Sequence, residues 1–318
     1  MNRRLLLQGG ANITATTFVG LYNGQDGSEP TRVEIGAMTS TNGRSFTRNP
    51  SNPVLSYGTS GAWDDEQVHG PSLLHDGTQY VVYYGGYNGT KYEIGRATSP
   101  DGVTWTKYAS NPVLTVGAGG SFDSNGCVGP NVILDGSTWH MWYTGVDGAG
   151  VTSIGYASSS DGITWTKGGQ KITKGSAGQF DDVGVGTGTV IKAGSTWYIY
   201  YAGQAESSGA SDYRAGYATT TDPAGTYTKQ GILSAFSGEL TIGAKTYQSN
   251  TLRSIVLVNG TYRAWGTAFQ PTTGEFEEIT FWTTSTDLTT FTTPKAAMSL
   301  IEGAWDEISA ENPAVLAA

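Results

Sequence analysis

A thirteen-residue pattern that returns about every 60 residues constrains this chain more than anything else in it. It reads Ile35-Gly36-Ala37-Met38-Thr39-Ser40-Thr41-Asn42-Gly43-Arg44-Ser45-Phe46-Thr47. It returns as Ile94 to Thr106, with Asp101-Gly102 and Trp105, and as Ile154 to Thr166, with Asp161-Gly162 and Trp165. Degenerate copies run from Ala215 through Asp222 to Tyr227 and from Phe281 through Asp287 to Phe291. Asn-Gly and Asp-Gly between β-rich runs mark tight hairpins, because their central residues need positive φ.

A second element precedes each copy. The first runs Trp63-Asp64, His69-Gly70-Pro71-Ser72-Leu73-Leu74-His75-Asp76-Gly77 and Tyr80-Val81-Val82-Tyr83-Tyr84-Gly85-Gly86. Its counterparts begin at Phe122-Asp123 and Phe180-Asp181, and a weaker one runs from Ser254 to Trp265. Each unit thus offers an apolar strand, an aromatic strand, a small-residue strand starting Ile-Gly, and a short Thr/Trp strand. Four antiparallel strands repeated radially describe a propeller blade.

The expected fold is all-β, a five-bladed β-propeller spanning 1–318 with four-stranded antiparallel blades. The blades fall at 12–55 plus 305–318, 63–114, 122–173, 180–233 and 247–299, after an N-terminal arm at 1–11. Trp305-Asp306 and Asn312-Pro313 restart the second element near the C-terminus. That strand is expected to complete the N-terminal blade and remove an open sheet edge. Arg4 to Gln8 offers a competing strand for the same place.

Composition narrows the chemistry. With 18 Lys+Arg against 27 Asp+Glu there is no basic stripe for a nucleic-acid backbone. No apolar run is long enough to insert in a membrane, and Leu5-Leu6-Leu7 is too short for a signal-peptide core. One cysteine and three histidines give neither a disulfide scaffold nor a Cys/His zinc site. Cys127, at the start of an apolar strand, reads as a small buried filler. The turn aspartates Asp101, Asp161, Asp222 and Asp287 read as hairpin chemistry.

Taken together, Trp/Phe-Asp, Gly-Pro-x-Val/Leu, Met141-Trp142-Tyr143-Thr144-Gly145 and Ile154-Gly155-Tyr156-Ala157 resemble the five-bladed propellers of the arabinanase, invertase and mannoside-phosphorylase superfamily over nearly the whole chain. That resemblance implies carboxylates on the innermost strands, facing an axial funnel. The matching positions here are Ser72, Val128 with Asn131, Thr189, Ile255 and Ala314, none of them acidic. The expectation is therefore a carbohydrate-recognising propeller on a glycosidase scaffold without the usual carboxylates. The alternative is an active glycoside hydrolase or glycan phosphorylase using displaced groups.

Candidate catalytic residues are Asp65, Glu66, His69 and Glu311. His69 and Glu311 precede Gly-Pro and Asn-Pro and read either as an acid/base pair or as a hydrogen-bonded pair lining a wet channel. Candidate substrate-binding residues are Ser72, Asn131, Thr189, Tyr87, Tyr92 and Tyr213. The recurrent Asp64, Asp123 and Asp181 read as structural acceptors of backbone N–H groups, since a repeat needs the same residue in every blade. Asp65, Glu66, Asp182 and Glu307 vary between units and are better functional candidates than the recurrent aspartates. No metal site or cofactor is expected, and an axial cation such as calcium stays open. The expected partner is a glycan or polysaccharide, with no nucleic acid. With no signal peptide, a chain made in the cytoplasm and carried on a phage virion, beside other virion proteins, is the expected setting.

Overall fold

The computed structural model describes residues 17–25, 32–205, 212–271, 276–298 and 309–317. The strands follow the period of the sequence. The first sheet holds β1 (Phe18–Gln25), β2 (Val33–Ser40) and β3 (Thr47–Arg48). The second holds β4 (Gln67–His75), β5 (Tyr80–Tyr87), β6 (Tyr92–Ser99) and β7 (Thr106–Lys107). The third holds β8 (Gly126–Asp135), β9 (Thr138–Val146), β10 (Thr152–Ser159) and β11 (Thr166–Ile172). The fourth holds β12 (Gly184–Ala193), β13 (Thr196–Ala205), β14 (Asp212–Thr220) and β15 (Thr228–Ile232). A short hairpin, β16 (Leu240–Ile242) and β17 (Lys245–Tyr247), follows; the sequence gives it no repeat signal. The fifth sheet is β18 (Ser249–Val258), β19 (Thr261–Pro271), β20 (Phe276–Ser285) and β21 (Lys295–Met298). Last comes β22 (Ser309–Ala317), which pairs antiparallel with β1 from Phe18 opposite Ala317 to Gln25 opposite Ser309.

The fold is all-β and antiparallel within each unit; one parallel bridge, Tyr92 to Gly126, touches β6 to β8. Among the described residues the one helix is a three-residue turn, Ser234–Phe236, and no helix is long and apolar enough to cross a membrane. The Arg4 to Gln8 register and the Trp305-Asp306 pair lie outside the described residues.

Why these residues make these turns is visible at Ser99-Pro100-Asp101-Gly102. Ser99 Oγ accepts the Gly102 N–H at 2.8 Å, while Asp101 accepts those of Val103 and Thr104 at 2.9 and 2.7 Å. Gly102 sits at φ 80°, where a side chain is strained. The backbone N–H groups of Thr104 and Val103 hold the Asp101 carboxyl well below the usual carboxylate range. Asp161 repeats the geometry, its carboxyl held down to about 2 by Thr164 and Ile163.

Five apolar layers lie between successive sheets. Leu21, Ala37 and Leu316 pack on Val68, Val82 and Tyr84; the chain-end layer packs Phe18, Tyr22 and Val315 on Val256, Val258 and Trp265. Aromatic side chains reach across these layers to hairpin carbonyls. Tyr83 donates to Gly162 O at 2.5 Å, Tyr200 to Leu288 O at 2.7 Å, and Trp265 Nε1 to Gly43 O at 3.0 Å.

The innermost strands are stitched to one another by short polar side chains. Ser72 Oγ accepts the Val132 N–H at 2.9 Å, Asn131 Oδ1 that of Val190 at 3.1 Å, and Ser254 Oγ that of Val315 at 3.0 Å while donating back to Val315 O. Replacing Ser254 with Ala leaves the buried Val315 groups without this partner. Urea unfolding of Ser254→Ala should show a loss of about 1–3 kcal/mol, the usual cost of a buried group left unpaired.

Candidate functional site

The repeated Trp/Phe-Asp is built for structure. The ring lies where two strands carry glycine: a Cβ on Gly86 or Gly95 would come within 2.3 or 2.6 Å of the Trp63 ring, and Gly145 and Gly155 make the same room for Phe122. The following carboxylate does not take the backbone N–H groups expected from the sequence. Asp64, Asp123 and Asp181 each bind a lysine from the fourth strand of their unit, Lys107, Lys167 and Lys229, at 2.6, 2.6 and 2.7 Å. Each also accepts the hydroxyl of a buried tyrosine, Tyr84, Tyr143 or Tyr201. At Asp123 burial works against the charge, but Lys167, Ser121 and Tyr143 outweigh it and hold the carboxyl below its usual value. Cys127 lies against this pair, fully buried, its thiol pushed up to about 12 by burial, so it is an inert filler.

This lock has a sign with pH. A depressed carboxyl contributes stability that is present above its unfolded value near 3.8 and lost as pH falls through the folded value. Lys167→Met strands a buried carboxylate, and should cost about 3 kcal/mol at pH 7, the low end for a broken buried pair because Lys167 is 28% exposed. Thermal unfolding at pH 7 and pH 3 should show that the gap from wild type narrows in acid.

One cavity gathers most of the functional groups. It holds about 360 Å³ and takes lining residues from every innermost strand: His69 and Gly70 of β4, Val128 of β8, Thr187 of β12, Thr251 and Arg253 of β18, Glu311 and Asn312 of β22. Tyr213, Phe269 and Glu278 complete the wall. The innermost strands bulge here, the register slipping between His69 and Ser72 and between Val128 and Asn131. Gly70 and Asn312 take positive φ, 60° and 50°, immediately before proline.

Local packing fixes each group. A Cβ on Gly85 would fall 2.9 Å from the His69 ring, so glycine there makes its room, and Tyr92 meets the same ring edge-on at 5.6 Å. Burial and the nearby Arg253 charge lower His69 to about 4, leaving it neutral. Arg253 donates to Thr187 O at 2.8 Å. Asn23 reaches from β1 to Glu311 at 3.4 Å and accepts the Gly70 N–H at 2.8 Å. Glu278 lines the same cavity; burial raises the Glu311 carboxyl, against the pull of Arg253 and Asn23. Tyr213 and Phe269 form a tilted aromatic pair at 5.6 Å. Four buried polar atoms of residues lining this cavity, His69 Nε2, Thr251 Oγ1, Arg253 Nε and Asn312 Oδ1, have no hydrogen-bond partner among the described residues.

Of the residues singled out from sequence, His69, Tyr213 and Glu311 meet in this cavity. Tyr87 stacks on Tyr92 at 4.2 Å, extending an aromatic path outward from His69. Asp65 and Glu66 line a separate surface depression of about 590 Å³ with Arg32 and Tyr57, where Asp65 caps the Gly61 N–H at 2.6 Å. Asp182 holds Gly178 in the same way at 2.7 Å. Ser72 and Asn131 are buried, their oxygens given to the next sheet, and Thr189 is 2% exposed. Asp306 and Glu307 lie outside the described residues. Sequence reading missed Thr251, Arg253 and Glu278. Among the described residues no three His, Cys, Asp or Glu side chains converge to hold a metal ion.

Comparison with solved structures follows this geometry. A glycosyl hydrolase from Bacteroides ovatus superposes with a TM-score of 0.60 at 20% identity, covering 82% of this chain and 80% of that one. A β-1,2-mannobiose phosphorylase from Listeria innocua, bound to β-1,2-mannobiose, gives 0.57 at 14% identity over 82% and 85%. A third, at 0.60 and 18% over 82% and 80%, belongs to a study of the GH130 family of mannoside phosphorylases as containing glycoside hydrolases that target β-1,2 mannosidic linkages in Candida mannan. The chain has the fold of the glycosidase propellers. At these identities the likeness establishes the fold alone. No protein-family model matches the sequence. Uncharacterized protein Rv1502 of Mycobacterium tuberculosis is 29% identical over 157 residues, 46% of this chain and 52% of its own length. The chain thus spans about half of the curated relatives it matches.

Proposed function

We propose that this chain is a carbohydrate-recognising propeller of five blades, closed by β22, that binds sugar in its axial cavity without the usual hydrolase carboxylates. The observation that carries the reading is the set of unpartnered buried atoms, His69 Nε2, Thr251 Oγ1, Arg253 Nε and Asn312 Oδ1, on one wall. Leaving such groups dry and unpaired costs about 1–3 kcal/mol each, which a ligand rich in hydroxyls offsets. Tyr213 and Phe269 supply the apolar face that sugar C–H groups need. Two of the similar solved structures are a glycosyl hydrolase and a β-1,2-mannobiose phosphorylase, which makes a neutral hexose oligomer the first ligand to try.

Cleavage is the second reading, because Glu311 keeps its proton more tightly than an ordinary carboxyl. The positions that the resemblance assigns to carboxylates argue against it: Ser72, Asn131 and Thr189 carry none, whereas two-carboxylate glycoside cleavage needs a second group at about 5–5.5 Å or about 6.5–9.5 Å. The relatives give the virion setting no support.

Calorimetric titration with mannosyl, glucosyl and galactosyl oligosaccharides tests the proposal. Thr251→Val, which removes one hydroxyl at nearly constant volume, and Arg253→Met should each weaken binding at least tenfold. Asp65→Asn, in the separate depression, should leave affinity unchanged. Unaltered affinity in Thr251→Val and Arg253→Met would move the site elsewhere.

A further inference from the structure

We propose, resting on the reading of the axial cavity as a sugar site, that Gly186 opens a small apolar recess in the cavity wall and that this recess selects sugars carrying a methyl group. The innermost strands present their residues at equivalent places. Ser72 and Asn131 accept the N–H groups of Val132 and Val190, and Ser254 accepts that of Val315. These bonds set Ser72 level with Asn131 and Thr189, and Ser254 level with Ala314. Three residues earlier on the same strands stand His69, Val128, Gly186, Thr251 and Glu311, and all five line the cavity. Four of them bring a side chain, and the one on β12 brings none.

Glycine inside a strand forgoes packing and costs conformational entropy, so it marks either a backbone that needs it or a place where something approaches the backbone closely. Among the described residues four glycines line the cavity, and the fold accounts for three of them. Gly70 and Gly129 take positive φ, 60° and 58°. A Cβ on Gly184 would collide with Thr152 Oγ1. Gly186 has neither reason. Its φ lies outside the left-handed region, and a Cβ there would touch only Thr144 Oγ1, at an ordinary 3.7 Å. The open space beside it is therefore left to a ligand.

The surroundings of that space are apolar. Ala202 lies opposite Gly186 on β13, and Val128 lies opposite Thr144 on β9. The hydroxyl nearest the space is already engaged: Thr144 Oγ1 accepts the Thr187 N–H at 2.8 Å and donates to Thr187 Oγ1 at 3.2 Å. A sugar hydroxyl gains little here against the water it leaves, whereas a methyl group gains by burial. The ring hydroxyls fall to the neighbouring strand. Thr251 Oγ1, on a residue 1% exposed, has no partner among the described residues, and Arg253 reaches Thr187 O, beside Gly186, at 2.8 Å. Two kinds of sugar offer the recess the same group: a 6-deoxyhexose through C6 and an N-acetylhexosamine through its acetyl end.

Calorimetric titration of the full chain compares sugars in matched pairs: N-acetylglucosamine with glucose, 6-deoxymannose with mannose, and 6-deoxygalactose with galactose. The methyl-bearing member of at least one pair should bind tenfold or more tightly, the discrimination one buried methyl gives in an apolar pocket. A gain confined to the first pair assigns the acetyl methyl, and a gain confined to the deoxy pairs assigns C6. Gly186→Ala fills the recess with a methyl of its own. It should melt no lower than wild type, abolish the preference, and leave the parent hexose within threefold. Equal affinities within every pair would overturn the recess while leaving a sugar site. A preference that survives Gly186→Ala, or a Gly186→Ala chain that does not fold, would overturn the role given to Gly186. Absence of binding by every sugar, with Gly186→Ala folded, would overturn the sugar reading itself.

Discussion

A four-stranded antiparallel sheet has two faces and too little area to stand alone, so each sheet of this chain is stable only when a neighbour covers it. Everything else follows from meeting that need on both sides of every sheet. Apolar layers fill the gaps, and Tyr83, Tyr200 and Trp265 cross them to hydrogen-bond the hairpin carbonyl of another sheet. Where the first strands of neighbouring sheets meet, the short side chains of Ser72, Asn131 and Ser254 pair directly with backbone N–H groups. The bulges that accompany this crowding turn His69, Arg253 and Glu311 toward the axis. The cavity is what the converging strands leave open.

The period made the strands legible, because hairpin chemistry at Asn42, Asp101 and Asp161 is local and repeats unchanged. The partner of β1 was also legible, since Asn312-Pro313 marks β22 as a displaced first strand. The recurrent aspartates were rightly read as structural, but their partners were not. Lys107, Lys167 and Lys229 follow the repeat's final Thr, more than 40 residues downstream of each carboxylate, and only the folded sheet brings them together.

The site was less legible because it sits in the most degenerate copies. Glu278-Ile279 looks in sequence like Glu34-Ile35 and Glu93-Ile94, so nothing distinguishes it until folding brings Glu278 and Glu311 to one cavity. Arg253 falls one residue before the point where the fourth match begins. A lone arginine between Leu252 and Ser254, in a strand otherwise free of charge, was the available signal. Conversely, Ser72 and Asn131 attract attention because each follows a Gly-Pro pair, yet packing gives both to the neighbouring sheet. The fold is that of the glycosidase propellers, and function rests on the groups that line the cavity rather than on the fold.

The most direct test of the central claim is a crystal structure of the chain soaked with a neutral oligosaccharide that binds it in solution. The account predicts density for a sugar ring in the axial cavity, with hydroxyls on Thr251, Arg253 and Asn312 and a ring face toward Tyr213 and Phe269. Sugar bound instead in the depression formed by Arg32, Tyr57, Asp65 and Glu66, with the axial cavity holding solvent, would contradict it.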